Sequence, residues 1–190
     1  MQSTIKSHSV ISIVSDVLAS GDVVLHHDPP SEDATAGQFA SVENLNLCKP
    51  IKQFLSTNYP SGLYTHQASS IESIQSGHHT VTATRTSSGK SLIYSIPVLN
   101  ELAQNPDSTS LFIYPQKALA NDQLVKLNSA VTEIAALRDA ASINDQFVSR
   151  YDGTTPKEKR PSIRENARVI ITNPDMLHYA MLQHHSVWQR

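Results

Sequence analysis

The stretch Thr84-Arg85-Thr86-Ser87-Ser88-Gly89-Lys90-Ser91 constrains the fold of this chain more than any other. Ahead of it, Thr80-Val81-Thr82-Ala83 is β-branched or small and predicts a short buried strand. Behind it, Leu92-Ile93-Tyr94-Ser95-Ile96 predicts the start of an apolar helix. A small-residue turn between a strand and a helix is a setting in which backbone N–H groups and the helix dipole gather an anion. Residues Thr84 to Leu92 would then line a phosphate site. Lys90 would bring a cation to the β- and γ-phosphates of a nucleotide, and the Ser91 hydroxyl would ligate Mg²⁺. The general pattern begins with Gly or Ala where this chain has Thr84, and Ser87 stands where many such loops have another glycine. Both fit with negative φ, though without glycine's freedom. The plainer alternative is a serine-rich turn with no ligand, and the flanking strand and helix argue against it.

Bulk properties set the frame. The chain has 190 residues, 39% of them hydrophobic, enough for one domain with a core or one domain plus an arm. Its formal charge of −2 announces no nucleic-acid partner, so any such contact must come from local groups on one face. Cys48 is the single cysteine, which excludes an internal disulfide and a cysteine-based zinc site, and fits a reducing setting. No run approaches the ~18 apolar residues of a membrane span, and no basic start followed by an apolar block marks a secretory signal. A soluble, cytoplasmic protein without membrane contact is expected. The nine histidines include the adjacent pairs His26-His27, His78-His79 and His184-His185, which do not converge in a strand or a helix, so no metal site is expected from them.

Residues 1 to 60 read as an N-terminal accessory arm: a short helix over His8–Ala19, a strand over Asp22–His27, a polar loop over Ser31–Ser41, and a helix from Lys49 to Tyr59. From Leu63 helices and strands alternate. Gln67–Gln75 is a helix, followed by the strand and loop above and a helix to about Asn105, which Pro97 should kink. Ser110–Tyr114 reads as a buried strand, Lys117 to about Leu137 as one long helix, and Gln146–Tyr151 as a third strand. Thr155–Ala167 reads as a charged helix with Pro156 in its first turn, Arg168–Thr172 as a fourth strand, and Pro174 to about His184 as a final helix. The alternation implies an α/β fold, a parallel sheet with helices on both faces and ligands at the carboxyl ends of its strands.

Three further segments carry chemistry. In Leu63-Tyr64-Thr65-His66-Gln67, a glutamine amide can pair with the donor and acceptor on one adenine edge while Tyr64 stacks on a ring, or the segment is only a helix start with a buried tyrosine. Tyr114 to Gln123 begins where the second strand ends and offers a helix N-terminus beside Lys117, suited to a nucleic-acid phosphate or simply a solvated helix start. Tyr151-Asp152-Gly153-Thr154-Thr155 and Thr172-Asn173-Pro174-Asp175-Met176-Leu177 end the third and fourth strands, where Asp-Gly and Asn-Pro also serve as turn chemistry. The basic run Lys157, Lys159, Arg160, Arg164 and Arg168 reads first as a solvated face.

In this order, these segments resemble the first RecA-like domain of superfamily 2 DEAD/DEAH-box helicases, above all the YprA/MrfA-type repair helicases, a group related to RecQ-like enzymes. The likeness covers roughly residues 61 to 190 and says nothing of the arm. It implies a P-loop NTPase with a RecA-like sheet, incomplete here, that takes ATP and Mg²⁺. Gln67 would read adenine beside Tyr64, and Gly89, Lys90 and Ser91 would hold the phosphates and metal, Lys90 being the catalytic cation. Pro115, Lys117, Gln123, Gly153, Thr172 and Asn173 would lie along a single strand of DNA. The family then places an Asp-Glu-x-His segment on the next strand, and no such segment occurs up to Arg190. Asp175 follows a strand but sits in a helix start. ATP hydrolysis needs such acidic groups, and helicases add arginines from a second RecA-like domain. The expectation is therefore the N-terminal part of a helicase that keeps nucleotide and DNA contacts without hydrolysing or unwinding by itself. Two other classes stay open: a free-standing ATP- or nucleic-acid-binding module without catalysis, and a P-loop phosphotransferase, whose lid arginines the run from Lys157 to Arg168 loosely imitates.

Overall fold

The computed structural model describes the backbone of residues 23–27, and residues 38–84 and 88–188. The helix expected over His8–Ala19, most of the loop that follows β1, and Arg85, Thr86 and Ser87 lie outside the described residues. In chain order the elements are β1 Val23–His27, β2 Phe39–Ala40, α1 Lys49–Asn58, β3 Leu63–Tyr64, α2 Thr65–Gln75, β4 His79–Ala83 and α3 Lys90–Gln104. They continue as β5 Ser110–Ile113, α4 Lys117–Glu133, α5 Ala135–Ile143, β6 Val148–Arg150, α6 Arg160–Asn166 and β7 Val169–Thr172, with helical turns from Pro174 to Val187. The chain divides into two compact units, Met1–Asn46 with Tyr59–Pro97, and Leu47–Asn58 with Val98–Arg190.

In the first unit β1 and β4 pair in parallel, Val23 opposite His79 and His27 opposite Ala83. β2 and β3 pair antiparallel, Phe39 opposite Tyr64. The turn before β3 needs Gly62 at φ 90°, because the Ala40 carbonyl lies where a side chain would start. Helix α2 meets β4 through hydroxyls. Ser70 Oγ lies 3.3 Å from Thr82 Oγ1, and Thr80 Oγ1 donates to Ser73 Oγ at 3.1 Å. Ser70 and Ser73 are thus buried with partners. The sequence predicted a buried β4, but Val81 is 45% exposed. Only the Thr80 and Thr82 side of this strand faces α2, so its apolar alternate is left outside.

The second unit is built on a parallel sheet in the order β5-β7-β6. Val169 of β7 is opposite Ser110 of β5 and Val148 of β6. All four residues of β7 are buried, as a central strand requires. β5 departs from its expectation: Phe112 is buried, but Leu111 and Ile113 are 42% and 44% exposed. β5 is an edge strand, and one of its two faces is uncovered among the described residues. Helix α1, expected in the arm, belongs to this unit. Its Ile51 and Leu55 are fully buried, the N–H of Cys48 bonds Asn100 Oδ1 at 2.8 Å, and Asn58 Nδ2 donates to Glu133 at 3.2 Å.

Three helix expectations change. The helix predicted from Lys117 to Leu137 breaks at Ile134, which is extended at φ −77°, ψ 112°. The guanidinium of Arg138 donates to the carbonyls of Thr132 and Glu133 and so satisfies the end of α4. The charged segment forms a 3₁₀ turn at Lys157–Lys159 before α6, where Pro161, not Pro156, occupies the first α-helical turn. Proline has no N–H to bond back into the preceding turn, so the α-helix starts beside it. The final helix is instead an α turn at Pro174–Met176, a π turn at Leu177–Met181 and a 3₁₀ stretch to Val187 that kinks at His184.

The basic run is not simply a solvated face. Arg160 lies over the Tyr151 ring and Arg164 over Trp188, at 5.6 and 5.9 Å, and Arg168 pairs with Asp107 at 3.0 Å. Arg160 and Arg164 thus lie against aromatic rings of a small core that holds Tyr151, Ile163, Ala167, Ile170 and Met181, with Trp188 packed on it.

Candidate functional site

The first unit holds the loop that joins β4 to α3. Gly89 has φ 72°, a left-handed conformation that glycine tolerates and other residues resist. Helix α3 starts immediately afterwards at Lys90. The ammonium of Lys90 folds back on the loop, donating to the Thr84 carbonyl at 2.9 Å, Thr84 Oγ1 at 3.2 Å and Ser88 Oγ at 3.3 Å. The Thr84 and Ser88 hydroxyls are themselves hydrogen-bonded. All three of these acceptors are oxygens, as an ammonium requires. They hold the cation at the place where the sequence puts a phosphate. The N–H of Leu92 is spent inside the turn on the Gly89 carbonyl, at 3.1 Å. The Ser91 carbonyl accepts from Ser95 Oγ at 2.8 Å.

Gln67 ties the start of α2 to this loop. Its Oε1 accepts from the Tyr64 N–H at 2.9 Å, a glutamine at the third helical position reaching back to the cap. Its Nε2 donates to the carbonyls of Ser88 and Gly89 at 3.3 and 3.0 Å. The side chain is 3% exposed. Next to it, His66 Nε2 donates to the Ser88 carbonyl at 3.2 Å. Tyr64 is stacked on Phe39 with centroids 4.9 Å apart, and on His66 at 5.7 Å. In this state the amide that was expected to read adenine is engaged with the loop, and Tyr64 forms part of an aromatic stack.

The second unit holds a shallow, open concavity at the carboxyl ends of β5, β6 and β7. Tyr114, Lys117, Arg150, Asp152, Thr172 and Asn173 line it. Of the residues assigned to nucleic acid, Lys117, Thr172 and Asn173 come together here. Thr172 is buried and its hydroxyl donates to the Tyr151 carbonyl at 2.7 Å, which fixes the end of β7 to β6. Asn173 Oδ1 caps the following turn by accepting from the Met176 N–H at 2.8 Å. Pro115, Gln123 and Gly153 do not line the concavity. Gln123 is buried and donates to Asp122 at 3.1 Å, while Gly153 sits exposed in its turn.

Asp152 is the most constrained charge of the second unit. Burial by itself pushes its carboxyl pKa up. The Thr154 hydroxyl and N–H, then the Arg150 and Lys117 cations, outweigh that and hold it below the ordinary 3.8.

The profile of the DEAD/DEAH box helicases matches residues 64–190. The chain belongs to the DEAD/DEAH box helicase family. It is 38% identical to the ATP-dependent helicase YprA of Bacillus subtilis over 184 residues, 96% of this chain and 23% of YprA. It is 44% identical to the ATP-dependent helicase HRQ1 of Saccharomyces cerevisiae over 126 residues, 66% of this chain and 11% of HRQ1. The helicase MrfA, solved with DNA and AMPPNP, superposes with a TM-score of 0.66 at 37% identity, over 95% of this chain and 24% of MrfA. The chain therefore spans a quarter or less of the length of these relatives.

Sequence reasoning missed four members of these sites. Phe39 reaches the stack only through the pairing of β2 with β3, and His66 was read as part of a helix start. Arg150 directly precedes the Tyr151-Asp152-Gly153 segment and Asn121 lies within Tyr114 to Gln123, but neither residue was assigned a role there; Asn121 Oδ1 accepts from the Arg150 guanidinium between α4 and β6. The contacts that bring the four into these sites each join residues of separate segments.

Proposed function

We propose that this chain binds ATP with Mg²⁺ in the loop Thr84 to Leu92 and a single strand of DNA along the concavity that contains Lys117, as the leading part of a DNA helicase. The observation that carries the reading is the loop itself. Gly89 provides the turn that only glycine makes freely, and Lys90 is stored on loop oxygens that a nucleotide's phosphates would replace as acceptors. Mg²⁺ would be held by Ser91 and the phosphates, and it neutralises phosphate charge. Gln67 would exchange a bond to Ser88 or Gly89 for the edge of adenine, so base recognition and loop shape move together. Tyr64 would stack beside the base.

Lys117, Thr172 and Asn173, with Pro115, Gln123 and Gly153 nearby in the sequence, would track the strand. No Asp-Glu pair follows a strand within these 190 residues, so nucleotide binding without turnover is the proposed behaviour of this chain alone. The test is nucleotide binding and phosphate release on this chain beside Lys90→Ala. Binding lost in the variant, with no turnover in either protein, is the expected result. Binding that survives Lys90→Ala refutes the loop assignment. Turnover that depends on Lys90 shows that a carboxylate of this chain, Asp175 first among them, completes the site.

A further inference from the structure

Beside Lys117, the concavity of the second unit holds a second cation, the residue just before the Tyr151-Asp152-Gly153 segment. Arg150 is the last residue of β6, and its side chain is 31% exposed. Nε faces Asp152 Oδ2 at 3.2 Å, one terminal nitrogen donates to Asn121 Oδ1, and the other donates to Thr154 Oγ1 at 3.3 Å. A guanidinium has five N–H donors in a rigid fork. These contacts use three, which leaves one hydrogen on each terminal nitrogen to donate to phosphate oxygen.

Asp152 is not a free negative charge in this concavity. Its side chain is 4% exposed. Oδ1 accepts from the Thr154 N–H at 2.7 Å and from Thr154 Oγ1 at 2.6 Å, while Oδ2 faces Arg150. The carboxylate is consumed in bracing the turn and the guanidinium. Asn121 follows Lys117 by one helical turn on the same face of α4, so the helix that presents the lysine also holds the arginine.

We propose that Arg150 contacts a backbone phosphate of the bound nucleic-acid strand, and that Asp152 is its positioning residue. The assignment rests on the nucleic-acid reading of this concavity. Lys117 offers a mobile point charge and Arg150 a fixed guanidinium. The strand is gripped at two places of different stiffness. The brace also explains why a carboxylate lies in a groove meant for a polyanion.

Binding of a fluorescent single-stranded oligothymidine to the 190-residue chain, without nucleotide and over a salt series, tests this. Arg150→Gln is expected to weaken binding about tenfold and to lower the slope of log affinity against log salt by about 0.7, the loss of one phosphate contact on a single strand. Arg150→Lys keeps the charge and should keep that slope while losing affinity. Asp152→Asn keeps an oxygen for Thr154 but turns an amide N–H toward Arg150 Nε. As a positioning residue it weakens binding, and added to Arg150→Gln it weakens no further. If Asp152 acted only as a negative charge beside the strand, its removal would tighten binding, and that result overturns its role. If Lys117→Ala weakens binding while Arg150→Gln leaves affinity and slope unchanged, the Arg150 assignment falls and the nucleic-acid reading stands. If the unaltered chain binds no oligonucleotide, both fall. Thermal melts of each variant confirm that the folded chain is being compared.

Discussion

The carboxamide of Gln67 occupies the space that a side chain on residue 89 would need: a Cβ built on Gly89 would fall on Gln67 Nε2. Two residues far apart in sequence thus make one joint: the φ of 72° favours glycine, and a side chain there would push the Gln67 amide aside. Gly89→Ala should cost about 1–2 kcal/mol for the left-handed backbone alone, and more as Gln67 is displaced. Chemical denaturation and nucleotide titration should both register the change, and an alanine variant with unaltered nucleotide affinity would show that the joint does not matter.

Gln67→Ala removes the partner of the Tyr64 N–H and one of the two donors on each of the Ser88 and Gly89 carbonyls, which keep His66 Nε2 and the Leu92 N–H. A group left without a partner costs about 1–3 kcal/mol when it stays dry. The expected outcome is a lower melting temperature together with weaker ATP binding, because the same side chain starts α2 and shapes the loop. Comparing ATP with a nucleoside triphosphate carrying another base separates its two roles. A loss common to all bases reports the loop, and an extra loss for adenine reports recognition.

Asp152 provides a pH test. Its folded pKa lies below the ordinary 3.8, so its contribution to stability is fully present above that value and is lost as the pH falls through the lower folded value. Asp152→Asn should therefore be less stable than the parent by about 1–3 kcal/mol near neutrality, with the two converging in acid. Melts recorded on both proteins from neutral pH downward check the sign. A gap that widens in acid would contradict it.

Ile171, on the central strand β7, is fully buried, whereas Leu111 on the edge strand β5 is 42% exposed. Ile171→Ala is expected to destabilise by about 2–5 kcal/mol and Leu111→Ala by about 0.5 kcal/mol or less. Urea denaturation of both variants tests the observation that one face of β5 is uncovered. Equal losses would mean that Leu111 is covered in solution.

The loop Thr84–Ser91, the four strands after residue 78 and the helices between them were legible because each is a local pattern: a turn chemistry, an apolar run or a helical period. Breaks inside helices were less legible. Nothing in Lys117–Leu137 itself announces the extended Ile134, because the group that satisfies the exposed carbonyls, Arg138, lies after the break. Exposure was misjudged at Val81, Leu111 and Ile113. β-branched and aliphatic residues state that a strand forms, but which face is covered depends on its neighbours in the sheet.

The sequence by itself determined the parallel α/β character of the chain, the loop that ends in Gly89-Lys90-Ser91 and the order of segments that marks the helicase family. Residue type and spacing act over a few positions, and that range is enough for a turn, a strand or a phosphate loop. Only the tertiary structure decided that Gln67 braces the loop, that Lys90 rests on Thr84 and Ser88, that Ile51 and Leu55 belong to the second unit, and that Asp152 fixes Arg150 beside Lys117. Each of these is a pairing between residues that the backbone must first carry together. Hydrogen bonds and charges act over a few ångströms of space, whatever the distance along the chain.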